Sequence, residues 1–180
     1  YCQFRNDWSL MKELKPVWEK SLKWILNAQH AETGMLTFSP SGSGLAMHSW
    51  KESGDLLTHV DGQPAHPPLA VSEVQGYAFR AFQTACRFYK ILGETENFNY
   101  YHKKTELFKE NFHELFWMED LQTYALALDS NAQQLEVLSS DPGHLLWSGI
   151  VPDKIAPALV ETLFSKELWS GWGIRTLGTR

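Results

Sequence analysis

Apolar residues recur every three or four positions in two long stretches, the spacing of one face of an α-helix. The first stretch runs from Glu73 to Leu92 after Ser72, and its apolar face comprises Val74, Tyr77, Ala78, Ala81, Phe82, Ala85 and Phe88. The second runs from about Glu96 to Leu115. The short link Gly93-Glu94-Thr95 joins them, so the pattern predicts a helical hairpin.

Shorter stretches have the same periodicity. Asp7 can cap a helix from Trp8 to about Leu14, and Pro16 suits the first turn of the next helix. A last helix is predicted over residues 152–164, whereas the apolar run at residues 124–128 fits a brief strand or a helix start. No run of alternating strand residues appears, so the pattern predicts an all-α layered or toroidal domain.

The segment from Glu32 to Pro68 has a different character, because it is rich in the residues that interrupt helices. These are Gly34, Gly42, Gly44, Gly54, Gly62, Pro40, Pro64, Pro67 and Pro68. A connection of this length in a compact domain is usually functional or disordered. The chain also has eight tryptophans, several of them in loops, where an indole can stack on the apolar face of a sugar.

Composition narrows the classes of partner. Hydrophobic residues make up 43% and charged residues 21% of the 180 residues, which is the balance of one ordinary globular domain. The net charge is −5 and the basic residues are dispersed, which argues against nucleic-acid and membrane partners. Cys2 and Cys86 do not form a disulfide framework, and Cys86 is predicted to be a buried thiol, which fits a cytoplasmic location. We expect neither a metal nor a cofactor, because no motif for one is present.

The stretch Trp50-Lys51-Glu52-Ser53-Gly54-Asp55 is the best candidate for chemistry. Glycoside hydrolysis requires a carboxylic acid that protonates the leaving oxygen and a second carboxylate opposite it. A carboxyl group in a turn beside an indole can keep its proton near neutral pH. Glu52 and Asp55 can equally be surface acids of a loop or cap Leu56-Leu57, and composition alone favours that reading.

Further candidates lie in the helices and near the C-terminus. Glu73 and Gln75 could bind sugar hydroxyls, although Ser72-Glu73 also reads as a helix N-terminus. His144 and Trp147 lie on one helical face after the predicted turn Asp141-Pro142-Gly143-His144.

Trp172 and Arg175 form a third pair of candidates near the C-terminus, with Trp169 close by in the sequence. They could form a sugar-stacking or cation–π wall. They could also be ordinary core residues, and the residues alone leave both readings open.

Short motifs follow one another in a recognisable order along nearly the whole chain. The first half contains Gly44-Leu45-Ala46, Trp50-Lys51-Glu52-Ser53-Gly54-Asp55, Asp61-Gly62, Pro68-Leu69-Ala70 and Glu73-Val74-Gln75-Gly76-Tyr77. The second half contains Phe116-Trp117, the run 124–129, the run 141–149 and Ser170-Gly171-Trp172-Gly173-Ile174-Arg175-Thr176-Leu177. The ordered set resembles bacterial amylo-α-1,6-glucosidase (glycogen-debranching-type) proteins of the six-hairpin glycosidase superfamily.

The resemblance implies part of an (α/α)6 toroid whose loops converge on one sugar-binding face, with Trp50 and Lys51 binding the sugar. Related glycosidases carry Glu-Ser-Gly-x-Asp, with the aspartate as general acid. This chain lacks the intervening residue, so Asp55 is the first choice for the acid and Glu52 the second. The family more commonly has Asp at position 52 and Asn-Gln-Gly at positions 47–49, which leaves the register of the loop open.

The resemblance also implies a catalytic base downstream of the 171–177 motif. We therefore interpret residues 1–180 as a single partial catalytic domain, truncated at both ends. In related enzymes the acid and a water-activating base face each other across the sugar, so inversion is expected. The substrate would be an α-glucan or a small α-glycoside.

Two other classes compete with this interpretation. One is a carbohydrate-binding or degenerate toroid domain that has kept its aromatic loops and lost turnover. The other is a helical enzyme of different chemistry, such as a terpene cyclase or an epimerase. The chain shows neither the acidic clusters of a cyclase nor paired histidines for an epimerase.

We predict that the isolated 180-residue chain does not hydrolyse α-glucosides, because the general acid would act without its base. Glucose release from maltooligosaccharides and α-1,6-branched oligosaccharides, with an intact α-glucosidase as positive control, measures this. Glucose release by the pure chain above the buffer blank would contradict the interpretation.

Overall fold

The computed structural model describes residues 2–39, 49 and 57–179, of which 49% are helical and 12% lie in strands or isolated β-bridges. Its helices are Cys2–Arg5 (α1), Ser9–Glu13 (α2), Lys15–Asn27 (α3), Ser72–Leu92 (α4), Thr95–Phe116 (α5), Pro142–Ser148 (α6) and Ala156–Leu163 (α7). Its strands are Ala70–Val71 (β1), Trp117–Met118 (β2), Thr123–Tyr124 (β3) and Ala127–Leu128 (β4). Antiparallel pairing joins β1 to β4 and β2 to β3. None of the helices in these ranges is long and apolar enough to cross a membrane.

The predicted hairpin of α4 and α5 is confirmed and forms the centre of the domain. Phe82 contacts Tyr101 and Phe108 across the hairpin, with ring centroids 6.2 and 5.6 Å apart. Gly93 ends α4 with a φ of 73°, a left-handed conformation that glycine adopts without steric cost. Because α3, α5 and α6 all pack against α4, this helix carries most of the core.

Two of the shorter helices begin at residues other than those predicted. The predicted Asp141–His144 turn is the beginning of α6, because Pro142 occupies the first helical position, where its missing N–H is not needed. The last helix begins at Ala156, after a turn over residues 152–155. The run at 124–128 contributes to β3 and β4, so its strand reading is confirmed.

The buried face of α4 is also rotated relative to the prediction. Phe79 and Tyr89 are buried, whereas Tyr77 is 41% exposed. Apolar periodicity places Tyr77 on the core face, but its ring lies at the surface facing α6. The packing of three helices around α4 decides which of its apolar residues are covered.

Cys86 is only half-buried and is a free thiol, as is Cys2. The Sγ atom of Cys86 lies 3.7 Å from Oγ1 of Thr105. Burial raises the pKa of the Cys86 thiol, which keeps it protonated and unreactive.

The connections at the N-terminal end of α4 form a loop layer, comprising residues 28–39, 57–71, 117–141 and 165–179. Main-chain pairing links Phe38 with Leu69 and Ser139 with Leu177. The imidazole of His59 lies 3.5 Å from the carboxylate of Asp129, which joins two further parts of this layer. The loop layer has an apolar cluster of its own, separate from the core around α4, which consists of Leu57, Leu69, Val71, Leu126, Ala127 and Leu135.

Candidate functional site

The predicted acid segment lies outside the described residues, so Trp50, Lys51, Glu52 and Asp55 remain predictions. The chain re-enters the described structure at Leu57, which is 2% exposed and belongs to the apolar cluster of the loop layer.

Three side chains from α4 and α6 meet beside this layer. The hydroxyl of Tyr77 lies 2.9 Å from Nδ1 of His144. The rings of Tyr77 and His144 are edge to face, with centroids 5.8 Å apart and planes at 87°. Trp147 also packs edge-on against Tyr77, at 6.3 Å and 76°. Residues 77, 144 and 147 are called the aromatic–imidazole cluster below.

Gly76, next to Tyr77 on α4, lies where α6 packs close to α4. A Cβ at residue 76 would come within 3.1 Å of Oγ of Ser148 and 3.2 Å of the Leu145 side chain. Glycine in a helix interior costs about 1 kcal/mol relative to alanine. Here it lets α6 approach until Tyr77 reaches the ring of His144.

Two buried acids act on Tyr77 of the cluster. Glu73, in the first turn of α4, is 1% exposed, and Asp141, which precedes α6, is fully buried. The Ser139 hydroxyl donates a 2.7 Å hydrogen bond to Oδ2 of Asp141. Burial first, and then the charges of Glu73 and Asp141, raise the pKa of Tyr77. The phenol therefore keeps its proton throughout the ordinary pH range.

Gln75 was predicted to bind sugar hydroxyls, but its side-chain amide is fully buried and hydrogen-bonded to main chain. Its Oε1 accepts a 2.8 Å hydrogen bond from the N–H of Leu36. Its Nε2 donates to the carbonyl oxygens of Leu36 and Val71, at 2.9 and 3.0 Å. Gln75 thus attaches the loop layer to α4.

Trp172 lies at the tip of a tight turn that projects it into solvent. Ser170 accepts the N–H groups of Trp172 and Gly173 on its hydroxyl, at 3.3 and 3.1 Å, and Trp169 pairs with Ile174. The side chain of Trp172 is 97% exposed. An indole held out of the core by a closed turn provides an open face for another molecule.

Arg175, predicted to form a wall with Trp172, makes a contact with main chain. Its guanidinium contacts the carbonyl oxygen of Lys166, at 3.4 Å. Among the side chains that the structure describes, cation–π contacts include Arg87 over Trp8 but not Arg175 over Trp172.

A groove of about 290 Å³ is lined by Tyr77 and Trp147 of the aromatic–imidazole cluster and by residues of α3 and α4. Its lining also includes Trp18, Ile25 and Phe88. Trp147 is 67% exposed despite its large apolar surface. The groove offers aromatic faces and edges, which is the kind of surface on which a pyranose ring packs.

Sequence reasoning missed Tyr77 and Asp141 as members of this site. Tyr77 follows Glu73 by four residues, so both occupy one helical face, and this spacing could have indicated the pair. Asp141 was interpreted only as part of a turn, since its burial depends on residues far away in the sequence.

Comparisons with known proteins show a solved structure with a similar fold. No protein-family model and no curated protein matches the chain. Among 34 matching solved chains is a GH78 family rhamnosidase of Bacillus sp. GL1, with a TM-score of 0.63 and 15% sequence identity. The match covers 86% of this chain and 15% of the rhamnosidase chain. The chain thus has a helix-rich fold similar to part of a glycoside hydrolase.

The position of Gln75 generates a stability prediction. Gln75→Leu removes three hydrogen bonds and leaves the main chain of Leu36 unpaired in the interior, so we expect a loss of roughly 2–4 kcal/mol in the free energy of unfolding. Urea unfolding followed by circular dichroism measures this. Gln83→Leu, on the half-exposed side of the same helix, is the matched control and should change stability by less than about 0.5 kcal/mol. Equal losses in both variants would show that the Gln75 amide is not the attachment described above.

Proposed function

We propose that this chain is a carbohydrate-binding part of a glycoside hydrolase of the (α/α)6 toroid type, acting on α-glucosidic linkages in the manner of an amylo-α-1,6-glucosidase. The observation that carries the proposal is the aromatic–imidazole cluster, of which Tyr77 and Trp147 line the groove, in a fold similar to part of a glycosidase. The family resemblance of the ordered motifs supports the proposed α-glucosidic linkage and the proposed general acid.

The cluster has the chemical composition that sugar recognition requires. The apolar face of a pyranose packs on aromatic surface, while its hydroxyl groups need donors and acceptors close by. Trp147 and Tyr77 supply the surface. His144 supplies a polar ring at the same place, and the fully exposed Trp172 offers a second stacking face on the loop layer.

The catalytic part of the proposal rests on the segment before Leu57. Asp55, or Glu52 if the loop is shifted in register, would protonate the glycosidic oxygen. A base outside the 180 residues would activate water on the opposite face of the sugar. This geometry gives inversion, with carboxyl groups about 6.5–9.5 Å apart.

A non-catalytic carbohydrate-binding domain on the same scaffold is the second candidate. It is favoured by the fact that the described cluster offers stacking and hydrogen-bonding groups, whereas Asp141 is engaged by Ser139 and serves the scaffold. Both candidates predict sugar binding, and they differ in turnover.

Binding should depend on the exposed tryptophans at the groove and in the 169–174 turn. We expect Trp147→Ala and Trp172→Ala each to weaken binding of maltotetraose or panose by about fivefold, since an aromatic contact is worth about 1 kcal/mol. Isothermal titration calorimetry measures the affinity.

Trp24→Ala is the matched control, because Trp24 on α3 is as exposed as Trp147, at 67%, and does not line the groove. It should leave the affinity unchanged. The proposed site would be wrong if all three variants bound like the unmodified chain, or if Trp24→Ala alone weakened binding.

Turnover separates the two candidates. In a chain that extends to the base, Asp55→Asn should reduce kcat by at least about 100-fold with little change in affinity, because general acid catalysis contributes that much. Glu52→Gln should have the smaller effect. Proton NMR of the first product should show the inverted anomer; the retained anomer would exclude the inverting mechanism, and unchanged kcat in Asp55→Asn would exclude Asp55 as the acid.

A further inference from the structure

A second pocket lies in the loop layer and shares no lining residue with the groove. Its volume is about 160 Å³, and it is lined by two turns, at residues 30–37 and 129–132, together with Ala70 of β1 and Leu128 of β4. Pockets that hold drug-sized ligands measure about 300–1,000 Å³. The smaller pocket therefore fits a single small unit, such as one monosaccharide. It is called the polar pocket below.

Both turns of the polar pocket are held by hydrogen bonds within the chain. In the first turn, the N–H of His30 donates to the carbonyl oxygen of Met35 at 2.8 Å. In the second, Oδ1 of Asp129 accepts the N–H groups of Asn131 and Gln133, at 2.8 and 2.9 Å. The main chain around the pocket is thus in place before a ligand binds, which lowers the entropic cost of binding.

The polar side chains of the lining, in contrast, are left unused by the scaffold. Within the described ranges, the side chains of Glu32, Ser130 and Asn131 make no hydrogen bond or ion pair, and all three residues are exposed. Nδ1 of His30 is buried and has no hydrogen-bond partner in the same part of the chain. Buried polar groups are nearly always hydrogen-bonded, so the scaffold does not explain an imidazole at this position.

The charges of the lining select the class of ligand. The lining includes the carboxylates of Glu32 and Asp129 and, in the described part of the chain, no lysine or arginine, so an anion would be repelled. The described residues also contain no group of three histidine, cysteine or acidic side chains that could hold a metal ion. Carboxylate, amide and hydroxyl groups beside the apolar surface of Pro68 fit a neutral ring that carries many hydroxyl groups.

We propose that the polar pocket binds one neutral hexose unit as a subsite separate from the groove, with Glu32 and Asn131 binding the sugar hydroxyls. The choice of a sugar as ligand rests on the proposed carbohydrate-binding function. The subsite itself is formed by residues that the groove does not use. Binding in the two places can therefore be measured separately.

NMR of chain labelled with ¹³C-histidine and titrated with D-glucose tests the subsite. His30 lines the polar pocket, and His144 belongs to the aromatic–imidazole cluster, so the two rings report on the two places in one spectrum. His30→Gln and His144→Gln assign their signals. We expect glucose to shift the signals of His30 in a saturable way.

Two variants of the lining test the named contacts. Glu32→Gln should weaken glucose binding by about tenfold, because it removes the charge from a hydrogen-bond acceptor, and Asn131→Ala by about three- to tenfold. Glu136→Gln is the matched control, since it removes the same charge from an exposed acid of the loop layer that does not line the polar pocket. It should leave the affinity unchanged. Circular dichroism establishes that each variant is folded.

Two further probes test the chemistry of recognition. Glucose 6-phosphate should bind more weakly than glucose, because its phosphate meets the carboxylates of Glu32 and Asp129. Calcium chloride without sugar should produce no saturable shift of His30. Equal binding of the phosphorylated sugar, or saturation by calcium alone, would contradict a site for a neutral sugar.

The outcomes separate this proposal from the proposed function. If maltotetraose binds and Trp147→Ala weakens that binding, while glucose leaves His30 unchanged, the polar pocket is not a sugar subsite and the proposed function stands. Equal affinities for glucose in Glu32→Gln, Asn131→Ala and Glu136→Gln would overturn the named contacts. If no saccharide shifts either histidine or binds in calorimetry, both proposals fail.

Discussion

The close approach of α6 to α4 at Gly76 is the contact on which the candidate site depends. A Cβ at residue 76 would lie 3.1 Å from Oγ of Ser148 and 3.2 Å from the Leu145 side chain, so these neighbours would have to shift. One residue further along α4, the Tyr77 hydroxyl lies 2.9 Å from the imidazole of His144. The same helix holds the loop layer through the adjacent Gln75, so two neighbouring residues of α4 organise both halves of the site.

These two residues also show how a scaffold and a binding surface can share one helix. Gln75 points inward and uses all of its hydrogen-bonding groups within the chain, which is how a buried amide is stabilised. Tyr77, two positions later, points towards α6 and is partly exposed. An α-helix turns by about 100° per residue, so the two side chains point in directions about 200° apart. The motif Glu73-Val74-Gln75-Gly76-Tyr77 therefore contains one residue that belongs to the scaffold and one that belongs to the surface.

The likeness to part of a GH78 family rhamnosidase, at 15% sequence identity, concerns the helix-rich fold alone. In this chain the loop layer contains the turn that exposes Trp172, and it borders Glu73 and Asp141 at the ends of two helices. Acids placed in this way remain close to the aromatic surface without being part of it.

The sequence by itself determined the long helices and their boundaries. The 3.6-residue periodicity predicted α4 and α5, and Gly93 marked the turn between them, because these signals depend only on neighbours in the chain. Local signals also indicated Trp172 and His144 as candidates. They could not show that Gln75 attaches the loop layer while Glu73 acts on Tyr77, because both are polar residues in one helical turn.

Only the tertiary structure decided which of these residues come together. His144 lies 67 positions after Tyr77, and Gln75 lies 39 positions after Leu36. Contacts over such distances follow from the packing of whole helices, which no local pattern encodes. The exposure of Tyr77, the burial of Asp141 and the separation of α4 and α6 all have this origin, and together they turn a set of plausible residues into a defined surface.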